Sequence, residues 1–329
     1  GIQLILKQSS ESFIDDLIKR SKTRRQGETE GPGSIDNDIL LGLLYIESKQ
    51  GDKAAAPFGR AIVADPESAG IFGGILVELE RENPNNAELK FQLARTSILL
   101  SHPDKAETRL FQCLELNDPP LEGILETLDD APERSENHLL LKGETLIRMG
   151  RRADGKDCMR SFLAESGDEK PAAGHMDHLF PAKEDRQALV ESRLSLLPDD
   201  CFRDPGVTFL YCDVASARGK SKDTAERLEN LYRADKNHAA AIIEWCERND
   251  EKVLSGGTKR LLAELYLESD EYEKSACAVQ NAVEADRTLL PSLLDLVREA
   301  VEGDAKTNPT LAKVLAELYA RAGDGESAS

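Results

Sequence analysis

Apolar residues recur at helical spacing along most of this chain. Near its C-terminus, for example, Leu290, Leu293, Leu294 and Val297 lie three or four residues apart, which is typical of an amphipathic helix. Comparable stripes recur in other segments, and together they predict about seventeen helices and no strands. We therefore expect an all-α fold.

Small residues occupy two fixed positions of a register that repeats along the chain. From Ile35 to Pro66 they are Gly42 and Ala54, and the large Phe58 follows. The same register can be laid down from five further starts: Ala87, Glu136, Pro205, Gly256 and Pro309. The first small position holds Gly42, Ala94, Gly143, Cys212, Ala263 and Ala316. The second holds Ala54, Ala106, Gly155, Thr224, Ser275 and Ala328. Small residues on two facing helices allow a close approach, so each copy predicts a helical hairpin.

This register resembles that of the tetratricopeptide repeat, a helix-turn-helix unit of 34 residues. Besides the small positions, Tyr45, Ala61 and Pro66 match residue types of that motif in the first copy. The resemblance covers 35–329 and implies a right-handed α-solenoid, a tetratricopeptide-like superhelix of stacked helical hairpins. Stacking is required because a single hairpin cannot bury its apolar stripe.

Successive copies start more than 34 residues apart, and the surplus predicts a third, shorter helix after each hairpin. The predicted third helices span 68–81, 120–128, 239–247 and 289–301, with two further pieces over 172–180 and 183–197. Pro57 falls one turn inside a predicted second helix, where it should cost a hydrogen bond or bend the helix.

The first 34 residues differ from the rest. Residues 1–20 predict an amphipathic N-terminal helix, residues 21–34 a flexible linker derived from cloning or native to the chain, and 35–329 the helical repeat domain. A basic run follows the apolar stripe, so 1–25 carries positive charge whereas the remainder is acidic. Two interpretations stay open: a ligand segment lying on the acidic solenoid, or a cap that covers the apolar edge of the first hairpin.

Charge and cysteine usage narrow the functional classes. The chain has 42 Lys and Arg against 61 Asp and Glu, for a formal net charge of −19, which argues against nucleic acid and anionic membranes as partners. Six cysteines are scattered without a C-x-x-C pair, and no apolar stretch is long enough to span a membrane. We expect a cytoplasmic protein, with a signal upstream of residue 1 left open.

Motifs with catalytic or ligand-binding chemistry are weak. The glycine-rich segment from Gly150 to Asp157 has Asp157 where a phosphate-binding loop needs Ser or Thr, and a helix is predicted before it. His175 and His178 have the spacing of zinc ligands, but no further ligand is positioned beside them. We therefore expect no catalytic residue, no cofactor and no metal.

In tetratricopeptide proteins, five positions of each first helix, 2, 5, 9, 12 and 13, line the concave face, and the resemblance implies a partner-binding groove there. From positions 5, 9 and 12 we take as candidate partner-binding residues Ile39, Leu43, Ile46, Phe91, Arg95, Ile98, Leu140, Glu144, Ile147, Phe209, Arg260, Glu264 and Leu267. The N-terminal half of this face is apolar, which suits an amphipathic helix or an extended peptide. An equal alternative is that the third helices cover these positions and make them core. The clamp of Lys, Asn and Arg that chaperone-binding members use is missing.

We predict a non-catalytic scaffold or adaptor that binds a peptide or amphipathic helix of a partner protein, basic segments included. One alternative is a secretion or assembly chaperone that shields a client helix. A less favoured one is an enzyme on a closed ring of hairpins, such as a glycoside hydrolase, which would need aromatic platforms and a carboxylate pair. The chain has a single Trp, and no such pair stands out.

Overall fold

The computed structural model describes residues 11–27, 32–131, 137–164, 183–249, 254–303 and 308–323. Across these ranges the chain forms seventeen α-helices and five short 3₁₀ turns, and it forms no strand. The predicted all-α fold class is confirmed across these ranges. No helix within these ranges combines the length and the apolar character that crossing a membrane would require.

The chain divides into two compact units, Gly1–Met149 and Gly150–Ser329. The helices of the first unit are α1 (Glu11–Gly27), α2 (Pro32–Glu47), α3 (Ala55–Ala64), α4 (Ala69–Glu82), α5 (Ala87–Leu99), α6 (Pro103–Leu114), α7 (Leu121–Asp130) and α8 (His138–Arg148). Those of the second are α9 (Arg152–Ala164), α10 (Lys183–Ser195), α11 (Pro205–Ala217), α12 (Ser221–Ala234), α13 (Ala239–Arg248), α14 (Gly256–Glu268), α15 (Tyr272–Ala285), α16 (Leu290–Glu302) and α17 (Pro309–Ala322).

Local sequence explains where several helices begin. The side chains of Asn86, Asp204 and Ser255 accept hydrogen bonds from backbone N–H groups at 2.9, 3.1 and 3.1 Å, which satisfies donors that a helix start leaves free. Gly219, with a φ of 75°, lies in the turn between α11 and α12. A side chain would strain the backbone there, so this turn favours glycine.

The small positions of the register are largely buried, as the sequence predicts for the seams of helical hairpins. All of those described are buried except Ala316, which is half-buried, while Ala328 lies outside the described residues. In the second unit, Ser275 Oγ donates to the carbonyl oxygen of Ala263 at 2.9 Å, which joins α14 to α15 directly across the seam. In the first unit, a Cβ placed on Gly42 would lie 2.7 Å from the ring of Phe58. Only a residue without a side chain fits that approach.

Successive hairpins within a unit pack against each other. In the first unit α3 contacts α5 and α6 contacts α8, and in the second unit α12 contacts α14 and α15 contacts α17. The predicted third helices are confirmed as α4, α7, α13 and α16, with bounds within a few residues of those expected. The predicted piece 183–197 corresponds to α10, and the piece 172–180 lies outside the described residues.

The N-terminal segment differs from the predicted helix and linker. Helix α1 continues to Gly27, and α2 already begins at Pro32, so both ends of the predicted linker are helical. The reason is packing: Ile14 and Ile18 are buried in the core of the first unit, and Asn37 Nδ2 donates to the carbonyl oxygen of Ser21 at 3.1 Å. Helix α1 therefore lies where a cap on the first hairpin would lie.

Candidate functional site

The thirteen predicted partner-binding residues are not equally accessible. Four are buried: Phe91, Leu140, Glu144 and Ile147. The other nine are half-buried: Ile39, Leu43, Ile46, Arg95, Ile98, Phe209, Arg260, Glu264 and Leu267. A surface that binds a partner needs side chains that solvent reaches, so the four buried residues do not fit the predicted role in this structure.

Third helices cover two of the predicted positions. A Cβ on Gly123 of α7 would lie 2.8 Å from the ring of Phe91, so α7 passes directly over that ring. In the second unit, Trp245 of α13 stacks on Phe209 with 6.3 Å between ring centroids. The Nε1 of Trp245 also donates to Asp213 Oδ1 at 2.7 Å. At these two positions the interpretation as core is the one that fits the structure.

The predicted residues on α8 belong to the interior of the first unit. Leu140 and Ile147 are fully buried. Glu144 is fully buried as well, and Arg148 contacts it at 2.9 Å one turn along the helix. A buried carboxylate needs such a partner because desolvation disfavours its charge. Glu144 is therefore paired within the core, where a partner protein does not reach it.

Other predicted residues already have contacts within their own unit. Arg260 forms ion pairs with Glu229 at 2.9 Å and with Glu264 at 3.4 Å. Leu267 packs against the core of the second unit, and Leu43 and Ile46 pack against that of the first. A partner could contact these residues only through the part of each side chain that solvent reaches.

Arg95 and Ile98 are brought together in an open groove of about 300 Å³. We call it the α5 groove, and it lies among the C-terminal ends of α3, α5 and α7. Its remaining lining consists of Val63, Leu99, Glu126, Thr127, Asp130 and Ala131. Val63 and Leu99 are 46% and 43% exposed, although both are large and apolar. Side chains of this kind usually enter a core, so two in one groove mark a candidate contact surface.

Two of the helices that line the groove pack closely beside it. Gly59 of α3 lies so near Gln92 of α5 that a Cβ at Gly59 would overlap the glutamine side chain. The two helices therefore approach closely at that level, and Val63 follows one turn later at the end of α3. Sequence reasoning did not single out Val63 and Leu99, because the register alone does not show which apolar side chains stay uncovered at helix ends.

The charges of the α5 groove have no ion-pair partner among the described residues. The guanidinium of Arg95 lies over the ring of Phe91, 5.5 Å from its centroid, and forms no salt bridge there. Glu126 and Asp130 are exposed and lie outside every ion pair of the described chain. The groove thus combines an apolar floor with two available carboxylates and one available cation.

Comparison with known proteins gives little further guidance. No family model matches the chain, and no curated protein matches it. Among solved structures the chain is similar to one described as "Structure of Naa15/Naa10 bound to HypK-THB", with 16% sequence identity and a TM-score of 0.20. The match covers 89% of this chain but 56% of that one, so this chain spans little more than half its length. At so low a TM-score the likeness supports no inference about fold or function.

Proposed function

We propose that this protein is a non-catalytic interaction scaffold that binds a peptide segment of a partner protein in the α5 groove. The observation that carries the proposal is the pairing of Val63 and Leu99, two exposed large apolar side chains, with the available charges of Arg95, Glu126 and Asp130. Buried apolar anchors give peptide binding its affinity, and charges at the rim select the partner.

The charges favour one kind of occupant: a segment with a large apolar residue next to Lys or Arg. Glu126 and Asp130 lie one helical turn apart on α7, so a cation beside the apolar anchor can reach both carboxylates. The net charge of −19 also attracts basic segments over a longer range. Arg95 can in turn bind a backbone carbonyl or a carboxylate of the same segment.

We propose that the hairpins are divergent tetratricopeptide-like repeats of a right-handed solenoid. A third helix follows the two helices of most hairpins. The buried small seams and the contacts between successive hairpins within each unit support this assignment. The third helices distinguish the chain from the 34-residue unit. Of the positions that the resemblance implies, the proposed site uses Arg95 and Ile98, and its remaining lining comes from the ends of α3, α5 and α7 and the residue that follows α7.

The test uses peptides selected on the intact protein from a random displayed library. We expect the selected peptides to carry a large apolar residue beside Lys or Arg. Leu99→Asp should weaken their binding at least about tenfold, because it places a charge on the apolar floor. Leu100→Asp is the matched control, since Leu100 is 44% exposed, adjacent in sequence and outside the groove lining.

Binding that survives Leu99→Asp, or that both substitutions weaken equally, would reject the α5 groove as the site. Circular dichroism of both variants checks that the helices remain intact. A second pair of variants tests the charge selection: Glu126→Gln with Asp130→Gln should weaken binding of basic peptides and leave that of neutral apolar peptides nearly unchanged.

A further inference from the structure

Basic residues gather in a second pocket of the first unit, away from the α5 groove. The pocket has a volume of about 640 Å³ and lies among α4, α5 and α6. We call it the Glu80 pocket. Its charged lining consists of Arg81, Lys90, Lys105 and Arg109, with Glu80 and Asp104. Cations therefore outnumber anions two to one, whereas acidic residues predominate in the whole chain.

Glu80 holds two of these cations in place without using all of their donors. Its carboxylate oxygens contact Lys90 Nζ at 3.2 Å and Arg109 Nη2 at 3.4 Å. Both contacts are longer than the usual distance for a charged hydrogen bond. All three side chains are largely buried. A lysine has three donors and an arginine five, so most of the donors on these two cations remain available.

One of those donors is buried and has no acceptor. Arg109 Nε makes no hydrogen bond in the structure although solvent does not reach it. An unsatisfied buried donor costs free energy, and an acceptor that entered the pocket would recover it. Lys105 adds a further exposed ammonium group, and it forms no ion pair with any described residue.

We propose that the Glu80 pocket binds a phosphate or carboxylate group, either as a free anion or on a peptide. Such groups offer several acceptor oxygens to a fork of Arg and Lys donors, which is the arrangement that Arg109, Lys90 and Lys105 present. The pocket shares no lining residue with the α5 groove, and it selects the opposite charge. The inference therefore goes beyond the proposed function and does not depend on it.

The test measures binding of fluorescein-labelled peptides to the intact protein by anisotropy. Three peptides share one neutral, flexible sequence and differ at a central residue, which is phosphoserine, glutamate or serine. We expect the first two to bind and the serine peptide not to bind. Inorganic phosphate is added as a competitor: displacement of the peptide at comparable concentration identifies the free anion as the ligand, and weak displacement identifies the peptide-borne group.

Three variants assign the binding to this pocket. Lys105→Gln and Arg109→Gln should each weaken the anionic peptides about tenfold, because each removes donors to a charged acceptor. Lys53→Gln is the control, since it also removes one positive charge from an exposed residue of the same unit, and it should change binding less than about twofold. Lys105 is exposed, so its substitution leaves the fold intact even if that of Arg109 does not.

The proposal is overturned if neither anionic peptide binds, or if Lys105→Gln and Lys53→Gln weaken binding equally, which would indicate nonspecific attraction. Leu99→Asp tests whether the two sites are independent: it disrupts the α5 groove and should leave the binding of the anionic peptides unchanged. Loss of basic-peptide binding with retained phosphopeptide binding would thus separate failure of one site from failure of the other.

Discussion

Single residues set how closely the helices approach. At the first seam, Gly42 faces the ring of Phe58, which is fully buried and stacks on Phe72 with 5.3 Å between centroids. The ring cannot move aside without disturbing its neighbour. Glycine normally weakens a helix by roughly 0.5–1 kcal/mol relative to alanine. Its presence at this position is therefore explained by packing rather than by helix propensity.

Gly42→Ala is expected to lower the free energy of unfolding by about 1–3 kcal/mol, because overpacking outweighs the gain in helix propensity. Gly74→Ala is the matched control: Gly74 is a helical glycine with open space where a Cβ would lie, and the same change there should stabilise by about 0.5–1 kcal/mol. Denaturant unfolding measures both. If the two substitutions shift the free energy of unfolding in the same direction, the contact with Phe58 does not exclude a side chain at residue 42.

A half-buried carboxyl ties α13 to α11 and makes stability depend on pH. Burial raises the pKa of Asp213 above its ordinary value of 3.8, although the hydrogen bond from Trp245 and the nearby Arg248 and Arg160 lower it. A carboxyl whose pKa is raised on folding binds its proton more tightly in the folded state. Its contribution to stability is therefore least favourable at neutral pH and improves as the pH falls through the folded-state pKa.

Asp213→Asn removes this titration while its side-chain oxygen can still accept from Trp245. We expect the difference in free energy of unfolding between variant and wild type to shift in favour of the wild type as the pH falls from neutral towards 3.8. Urea unfolding across that range provides the measurement. A difference that is constant, or that shifts towards the variant, would mean that the folded-state pKa is not raised.

Whole elements were predictable to different degrees. The seams and the third helices followed from the sequence, because small residues and apolar stripes at fixed spacing report directly on helix faces. What the third helices cover did not follow. The register shows that Phe91 and Phe209 lie on one face of their helices, but not that Gly123 and Trp245 pack onto them. Such coverage depends on long-range packing that no local pattern records.

Pro57 illustrates the same limit at a helix boundary. The sequence predicts a helix that the proline would interrupt. Instead, a 3₁₀ turn over Gly51–Ala54 comes first, and α3 begins at Ala55, two residues before the proline. The backbone N–H groups of a first turn have no partner within the helix, so a proline there loses no hydrogen bond.

The cap formed by α1 gives a prediction at the scale of the element. Ile18→Ala should destabilise the first unit by about 2 kcal/mol, because Ile18 is buried in its core and the substitution leaves a cavity. Lys19→Ala is the neighbouring control on the exposed side of the same helix, and it should change stability by less than about 0.5 kcal/mol. Equal effects of the two changes would argue against a docked α1.

At the scale of the molecule, the division after Met149 separates two sets of helices with cores of their own. The first unit contains the clusters around Phe58 and Leu110, and the second contains the cluster around Val279. The sequence predicted one repeat domain over 35–329. The division could not be anticipated, because the register continues through it: Gly143 and Gly155 occupy seam positions on its two sides.

Fragments 1–149 and 150–329 are expected to fold separately, because each contains a buried apolar cluster. Each should show helical circular dichroism and a cooperative thermal transition. Fragment 1–149 should also retain the binding of selected basic peptides, since the whole α5 groove lies within it. A fragment that aggregates or melts without cooperativity would show that the two sets of helices need each other.

The stacking of Trp245 on Phe209 also equips the protein with an internal optical reporter. Trp245 is the sole tryptophan, so indole fluorescence originates from this one contact between α13 and α11. Emission should move to longer wavelength when α13 detaches and water reaches the ring. Events confined to the first unit, including occupation of either proposed site, should leave the emission of Trp245 unchanged. Tryptophan fluorescence can therefore distinguish local opening of the second unit from ligand binding in the first.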